Sequence, residues 1–158
     1  GARIFTSDDD YCMDTYAVLE DNGSPVGKNP ERIAAIKVRL EKNLADGSKP
    51  MTPSRVRRTR KDRYFSKPIE LSFNNPANKN YSTLEVNCSD QPGILACVGK
   101  VFAEHDINLK DARITTLGER VEDLFFITDK LGKPLSDTKQ VDELLADIKT
   151  ELEERLTD

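Results

Sequence analysis

The sequence predicts an α+β fold assembled from one and a half copies of a small module, and two observations carry that reading. The first is an internal repeat. Arg3-Ile4-Phe5-Thr6 runs on through Asp14-Thr15-Tyr16-Ala17-Val18-Leu19 to Gly23-Ser24-Pro25-Val26. Arg113-Ile114-Thr115-Thr116 runs on through Asp123-Leu124-Phe125-Phe126-Ile127-Thr128 to Gly132-Lys133-Pro134-Leu135. The offset is 110 residues at the arginine and 109 at the aspartate and the glycine, so one residue differs in the turn. The second observation is an asymmetry: only the later copy is preceded by a strand, a turn and another helix. Repetition of this kind sets the architecture before any propensity argument applies.

Taken in order, residues 2–7 and 14–20 read as two strands joined by the acidic turn Asp8-Asp9-Asp10. Asn29 is a good helix N-cap, and Pro30 at the first helical position needs no amide partner. Ile33, Ile36, Leu40 and Leu44 then form one apolar face, and Gly47 stops the helix. Residues 48–63 have no period and are rich in Pro, Ser and Arg, as in a connector. Pro68-Ile69-Glu70-Leu71-Ser72-Phe73 alternates like a strand, Asn74-Asn75-Pro76 breaks it, and residues 82–88 alternate again. After Asp90-Gln91-Pro92-Gly93, the residues Ile94, Leu95, Val98, Val101 and Phe102 share a helical face. Residues 107–117 and 120–128 make a second strand pair. Val141, Leu144, Leu145, Ile148 and Leu152 mark a last helix capped by Ser136 or Asp137.

The later copy therefore reads strand–helix–strand–strand–helix from residue 81. A ferredoxin-like fold, an antiparallel sheet with its helices on one face, needs one more strand. The segment 68–73 can fill that edge by pairing with 82–88, can complete the first copy, or can do both in one shared sheet. The expected division is 1–47 for the end of a first domain, 48–67 for a basic, proline-containing connector, and 68–158 for a second domain.

Composition limits the function classes. A net charge of −4 gives no general attraction to nucleic acid or to an anionic membrane. No apolar run approaches a membrane span, nothing at the start reads as a signal peptide, and the expected location is cytoplasmic. Cys12, Cys88 and Cys97 lack metal-ligand spacing and read as reduced thiols, two of them in the core. The single histidine, His105, reads as an ordinary surface residue at a helix end. Without a glycine-rich phosphate loop or a nucleophile–base set, no catalysis is expected from this chain. Arg55, Arg57, Arg58, Arg60, Lys61 and Arg63 against Asp62 give a local charge of +5. An RNA platform on such a sheet would need stacking aromatics in a Gly-flanked motif, which are lacking, so the run reads as a solvated connector or a contact with an acidic surface.

The most specific local signal is Asp90-Gln91-Pro92-Gly93-Ile94-Leu95, a turn between a strand and an amphipathic helix. Pro92 fixes its own φ, Gly93 permits close backbone approach, and the first helical amides lack intrahelical partners and can hold a carboxylate. Asp90 serves equally as a plain N-cap or as a ligand contact. Asp106-Ile107-Asn108-Leu109 follows at the start of the next strand, where Asn108 can bond either backbone or ligand. Asp14 and Asp123 recur at equivalent strand positions, and Arg3 or Arg113 across the hairpin is the expected partner.

Together these segments resemble the ACT domain family of amino-acid-sensing ferredoxin-like modules. The stretch 112–125, Ala-Arg-Ile-Thr-Thr-Leu-Gly-Glu-Arg-Val-Glu-Asp-Leu-Phe, is similar to the C-terminal tandem ACT region of bacterial PII-protein uridylyltransferase/uridylyl-removing enzymes. The resemblance implies that the chain is a C-terminal piece of such an enzyme, with a magnesium-using catalytic part upstream and no cofactor of its own. It implies glutamine or a related amino acid as ligand, and as partners the catalytic domains of the same chain and PII protein, with a homodimer as a further possibility. It implies a ligand site formed by Asp90, Gln91, Pro92, Gly93 and Ile94, with Asn108 and Leu109 adding an amide contact and a wall. Gly93→Val is then expected to abolish binding in a folded domain. The alternative is an interaction module that docks on the catalytic domains or on PII protein without a small ligand.

Overall fold

A computed structural model describes residues 2–7, 9, 11–20, 22–46, 68–91 and 93–157. The expected connector at 48–67 with its six basic residues, Asp8 and Asp10 of the acidic turn, Gly47 and Pro92 lie outside the described residues. Among the described residues, six strands and three helices follow in the order β1 (Ala2–Phe5), β2 (Thr15–Tyr16), α1 (Pro30–Ala45), β3 (Glu70–Asn74), β4 (Ser82–Ser89), α2 (Ile94–Glu104), β5 (Asn108–Leu117), β6 (Arg120–Thr128) and α3 (Thr138–Thr157). A short 3-10 turn, Val26–Lys28, precedes α1.

All strands join one antiparallel sheet in the order β2-β1-β5-β6-β4-β3. This decides what the sequence left open about residues 68–73. The strand lies at 70–74 and pairs with 83–87 on one edge, while the first copy's strands add to the other edge. The two copies thus share a sheet, and β3 supplies the edge strand that an α+β ferredoxin-like unit needs.

Alternation explains the layers. On β4, Leu84, Val86 and Cys88 point to one face, and on β6 Val121, Phe125 and Ile127 do the same; all are buried. Helices α2 and α3 cover that face. Val98 and Val101 on α2 and Leu144, Ile148 and Leu152 on α3 are at most 1% exposed. Phe102 meets Phe125 edge to face at 5.5 Å. The helix pair is also tied by Lys100 to Glu151 and by His105 Nε2 to Asp147 Oδ2 at 2.7 Å. His105 is therefore a bridge between α2 and α3 rather than a plain surface residue. Of the two caps expected for α3, Asp137 is the one used: its carboxylate accepts from the Lys139 amide at 2.9 Å. Ser82, fully buried, is satisfied by donating to Asn75 Oδ1 at 2.6 Å and accepting from the Leu135 amide at 2.9 Å.

The first copy forms the same elements with much less burial. Its strands shrink to Ala2–Phe5 and Thr15–Tyr16, with isolated bridges at Thr6–Cys12 and Leu19–Pro25. Helix α1 is capped as expected, Asn29 Oδ1 accepting from the Arg32 amide at 3.1 Å, but it contains no buried residue. Its ordered partners include the ion pair of Arg32 with Glu20 at 3.4 Å.

Candidate functional site

The turn after β4 is held from both sides. Ser89 pairs with Arg120, and the Asp90 amide donates to the Glu119 carbonyl at 2.9 Å, so the β5–β6 hairpin tip anchors the turn. Helix α2 then starts from Gly93, whose φ of 94° lies in the left-handed region that disfavours any side chain. The N-cap residue is a glycine, which has no side chain of its own to cap the helix. Asp90 is thus not the N-cap that one sequence reading allowed; its side chain is exposed, and Gln91 and Gly93 are half-buried. Ile94, the last residue of the expected ligand cradle, is 4% exposed and packs in the core cluster. The positive φ also changes one expectation: valine at 93 would strain the backbone itself, so Gly93→Val tests the fold as well as the site.

Behind the turn sits a residue that sequence reasoning assigned elsewhere. Asp123 occupies a core-facing position of β6, between Val121 and Phe125, and is 1% exposed. Neither expected arginine is its hydrogen-bond partner. Its Oδ1 accepts from the Thr115 amide at 3.2 Å, while Arg113 turns to the other face and lies 5.4 Å over the Phe126 ring. Asp14, its counterpart, is exposed and accepts from the Tyr16 hydroxyl at 3.4 Å. Burial pushes the Asp123 carboxyl up to about 6, against the pull of the Thr115 amide, and the nearby Asp90 charge adds to the rise. Burial likewise raises the Cys88 thiol to about 11, helped by Asp123 and Asp90, so it stays protonated and unreactive. The clue in the sequence was the pattern Val121-x-Asp123-x-Phe125-x-Ile127, which places a carboxylate on the apolar face.

Asn108 and Leu109 lie at the other end of the sheet. Asn108 pairs with Thr128, whereas the turn lies beside Arg120; eight residues of β6 separate them, about 26 Å at strand rise. The Asn108 side chain donates to the Asp129 carbonyl at 3.2 Å, and the Leu109 carbonyl accepts from the Thr6 hydroxyl at 2.9 Å. The candidate residues therefore split into two groups, 90–94 at one end and 108–109 at the other. Among the described residues no three His, Cys, Asp or Glu side chains gather to hold a metal ion, and no helix is long and apolar enough to cross a membrane.

Residues 82–152 match the family model of the ACT domain. The chain is 43% identical over 136 residues to the bifunctional uridylyltransferase/uridylyl-removing enzyme of Stutzerimonas stutzeri, covering 86% of this chain and 15% of that enzyme. The corresponding enzyme of Pseudomonas fluorescens is 42% identical over the same shares. That of Pseudomonas syringae pv. tomato is 41% identical over 143 residues, 90% of this chain and 16% of its own length. The chain thus spans about a sixth of the curated relatives it matches. Residues 82–152 of this chain are an ACT domain, in a sequence similar across most of its length to bifunctional uridylyltransferase/uridylyl-removing enzymes.

Proposed function

We propose that this chain is the amino-acid-sensing regulatory portion of a uridylyltransferase/uridylyl-removing enzyme acting on PII nitrogen-signal protein, with glutamine as the ligand. The observation that carries the reading is the start of α2, a helix whose N-cap is a glycine at positive φ, in an ACT domain whose relatives are those enzymes. The amides at the start of α2 suit an α-carboxylate, Asp90 suits an α-ammonium, and Gln91 would meet the ligand's side chain. Catalysis, and any magnesium it uses, would belong to other domains of such an enzyme.

The repeat suggests how the first copy enters. Since β1 pairs antiparallel with β5, the turn at 90–94 looks toward the beginning of β1, while Asn108 and Leu109 look toward its end at Thr6. In this reading Asn108 and Leu109 serve a second position, equivalent to the first by the repeat, rather than the same ligand. Ligand binding would then bias how the two copies sit on their shared strands, and a switch requires that affinity differ between those placements.

Calorimetric titration with glutamine, using glutamate and asparagine as controls, tests the reading. Selective heat that is lost in Gln91→Ala and weakened in Asp90→Asn is expected. Heat unchanged by both variants would remove the turn from the site, and silence toward all three amino acids would remove the sensing role from this chain.

A further inference from the structure

The turn at 90–94 and the buried Asp123 belong to one structural unit. Val86 and Cys88 alternate along β4, with Asp90 next in that row, and Asp123 lies opposite Val86 on β6. On its other side Asp123 meets Ile114 of β5. Asp123 and Cys88 are buried, and Asp90 stands exposed where the row reaches solvent. Among the described residues, the Thr115 amide is the hydrogen-bond donor to the Asp123 carboxyl. A carboxylate with so little support is costly to keep ionised between apolar neighbours. The β5–β6 hairpin that supplies this amide also holds the turn, because the Glu119 carbonyl accepts from the Asp90 amide at 2.9 Å. We propose that an amino acid binding at the turn drives the proton of Asp123 into solvent, so that the affinity of the site rises with pH. This inference rests on the sensing role proposed above and adds a regulation to it.

The coupling runs through Asp90. Burial is the main reason that Asp123 holds its proton, and the charge of Asp90 adds to it. An α-ammonium bonded to Asp90 offsets that charge, while the ligand's carboxylate is taken up by the amides at the start of α2. The ammonium therefore favours ionised Asp123, and by reciprocity ionised Asp123 favours the ammonium. The other titratable groups around Asp123 do not compete for this role. The Cys88 thiol is pushed up to about 11 and stays neutral. The chain's amino terminus favours the ionised form of Asp123 whether or not a ligand is bound. Lys100, Glu151 and Arg155 of α2 and α3 act on Cys97 instead, and His105 lies at the far end of α2. Below the Asp123 midpoint of about 6 the ligand must displace a proton, whereas above it the carboxylate is already formed.

The test is calorimetric titration of the 158-residue chain with glutamine at several pH values. Affinity should be about threefold higher near pH 7 than near pH 5, the equivalent of about half a pKa unit of coupling. Near the midpoint, two buffers of different protonation heat should give different binding heats, with the sign of proton release. Asp123→Asn keeps an acceptor for the Thr115 amide; it should bind at the weaker, low-pH affinity throughout and show no buffer dependence. Selective binding with one affinity across this range and no buffer dependence would overturn this inference and leave the sensing role standing. Silence toward glutamine would overturn both. Should Asp123→Asn fail to fold, the carboxyl carbon of Asp123 in the unsubstituted chain gives the same answer by nuclear magnetic resonance. Its titration midpoint should move down when glutamine is bound, and a midpoint that stays in place would overturn the inference.

Discussion

The two copies of the repeat use nearly the same words and reach opposite degrees of burial. On α3, Leu144, Ile148 and Leu152 are fully buried; on α1, Ile36, Leu40 and Leu44, at the same spacing, are 40%, 56% and 75% exposed. The difference is a partner. Helix α2 lies beside α3, and the sheet beneath both is four strands wide on that side, whereas among the described residues nothing equivalent covers α1. An amphipathic pattern therefore specifies which face a helix would bury. Whether it is buried depends on a second surface, because the hydrophobic gain comes from area removed from water and not from the pattern.

That contrast can be broken most forcefully in the helices. Leu152→Ala should cost about 3 kcal/mol in chemical denaturation, through lost transfer energy and an unfilled cavity. Leu44→Ala, its counterpart, should stay within about 0.5 kcal/mol. Equal losses at the two sites would mean that α1 is buried in solution.

The paired aspartates sharpen the comparison at intermediate size. With its carboxyl raised from 3.8 to about 6 in the folded state, Asp123 binds more protons in the native than in the unfolded chain between those values. Stability from this group is therefore greatest at low pH and falls as pH rises through about 4 to 6. Asp123→Asn keeps an acceptor for the Thr115 amide, so it should raise stability at pH 7 by about 2 kcal/mol and flatten that part of the profile. Asp14→Asn, on an exposed strand, should change stability by no more than about 0.5 kcal/mol. Denaturation midpoints collected from pH 4 to about 8 would check both.

The smallest effect concerns the strand where the copies meet. Arg3→Glu would set unlike charges opposite each other and should strengthen the β1–β5 pair by about 0.5 kcal/mol. Hydrogen exchange at the β5 amides that face β1 should slow two- to threefold, and unchanged exchange would mean that β1 does not protect them.

Much of the molecule could be read before the fold was known, and the reasons are local. Asn29-Pro30 specified the start of α1, and the alternation of residues 82–88 and 120–128 specified two strands and their buried faces. The glycine at 93 marked a special backbone position. The candidate site was only half legible. Residues 90–94 could be singled out because a turn between strand and helix is a property of contiguous sequence. Their distance from Asn108 and Leu109 could not, because it depends on the direction in which β5 runs beside β6. The partner of Asp123 was missed for a related reason. Cross-strand neighbours depend on register, and the side chains of β5 and β6 alternate, so Arg113 is on the other face.

By itself, then, the sequence determined the elements, their apolar faces, the repeat and the special turn at 90–94, all set by interactions within a few residues. Only the tertiary structure decided that the two copies share one sheet, that β3 pairs with β4, and that Arg3 meets Arg113. Those choices rest on hydrogen bonds between strands distant in the chain. Backbone groups carry no residue-specific signal, so which edges pair is settled by how the whole molecule buries its apolar faces.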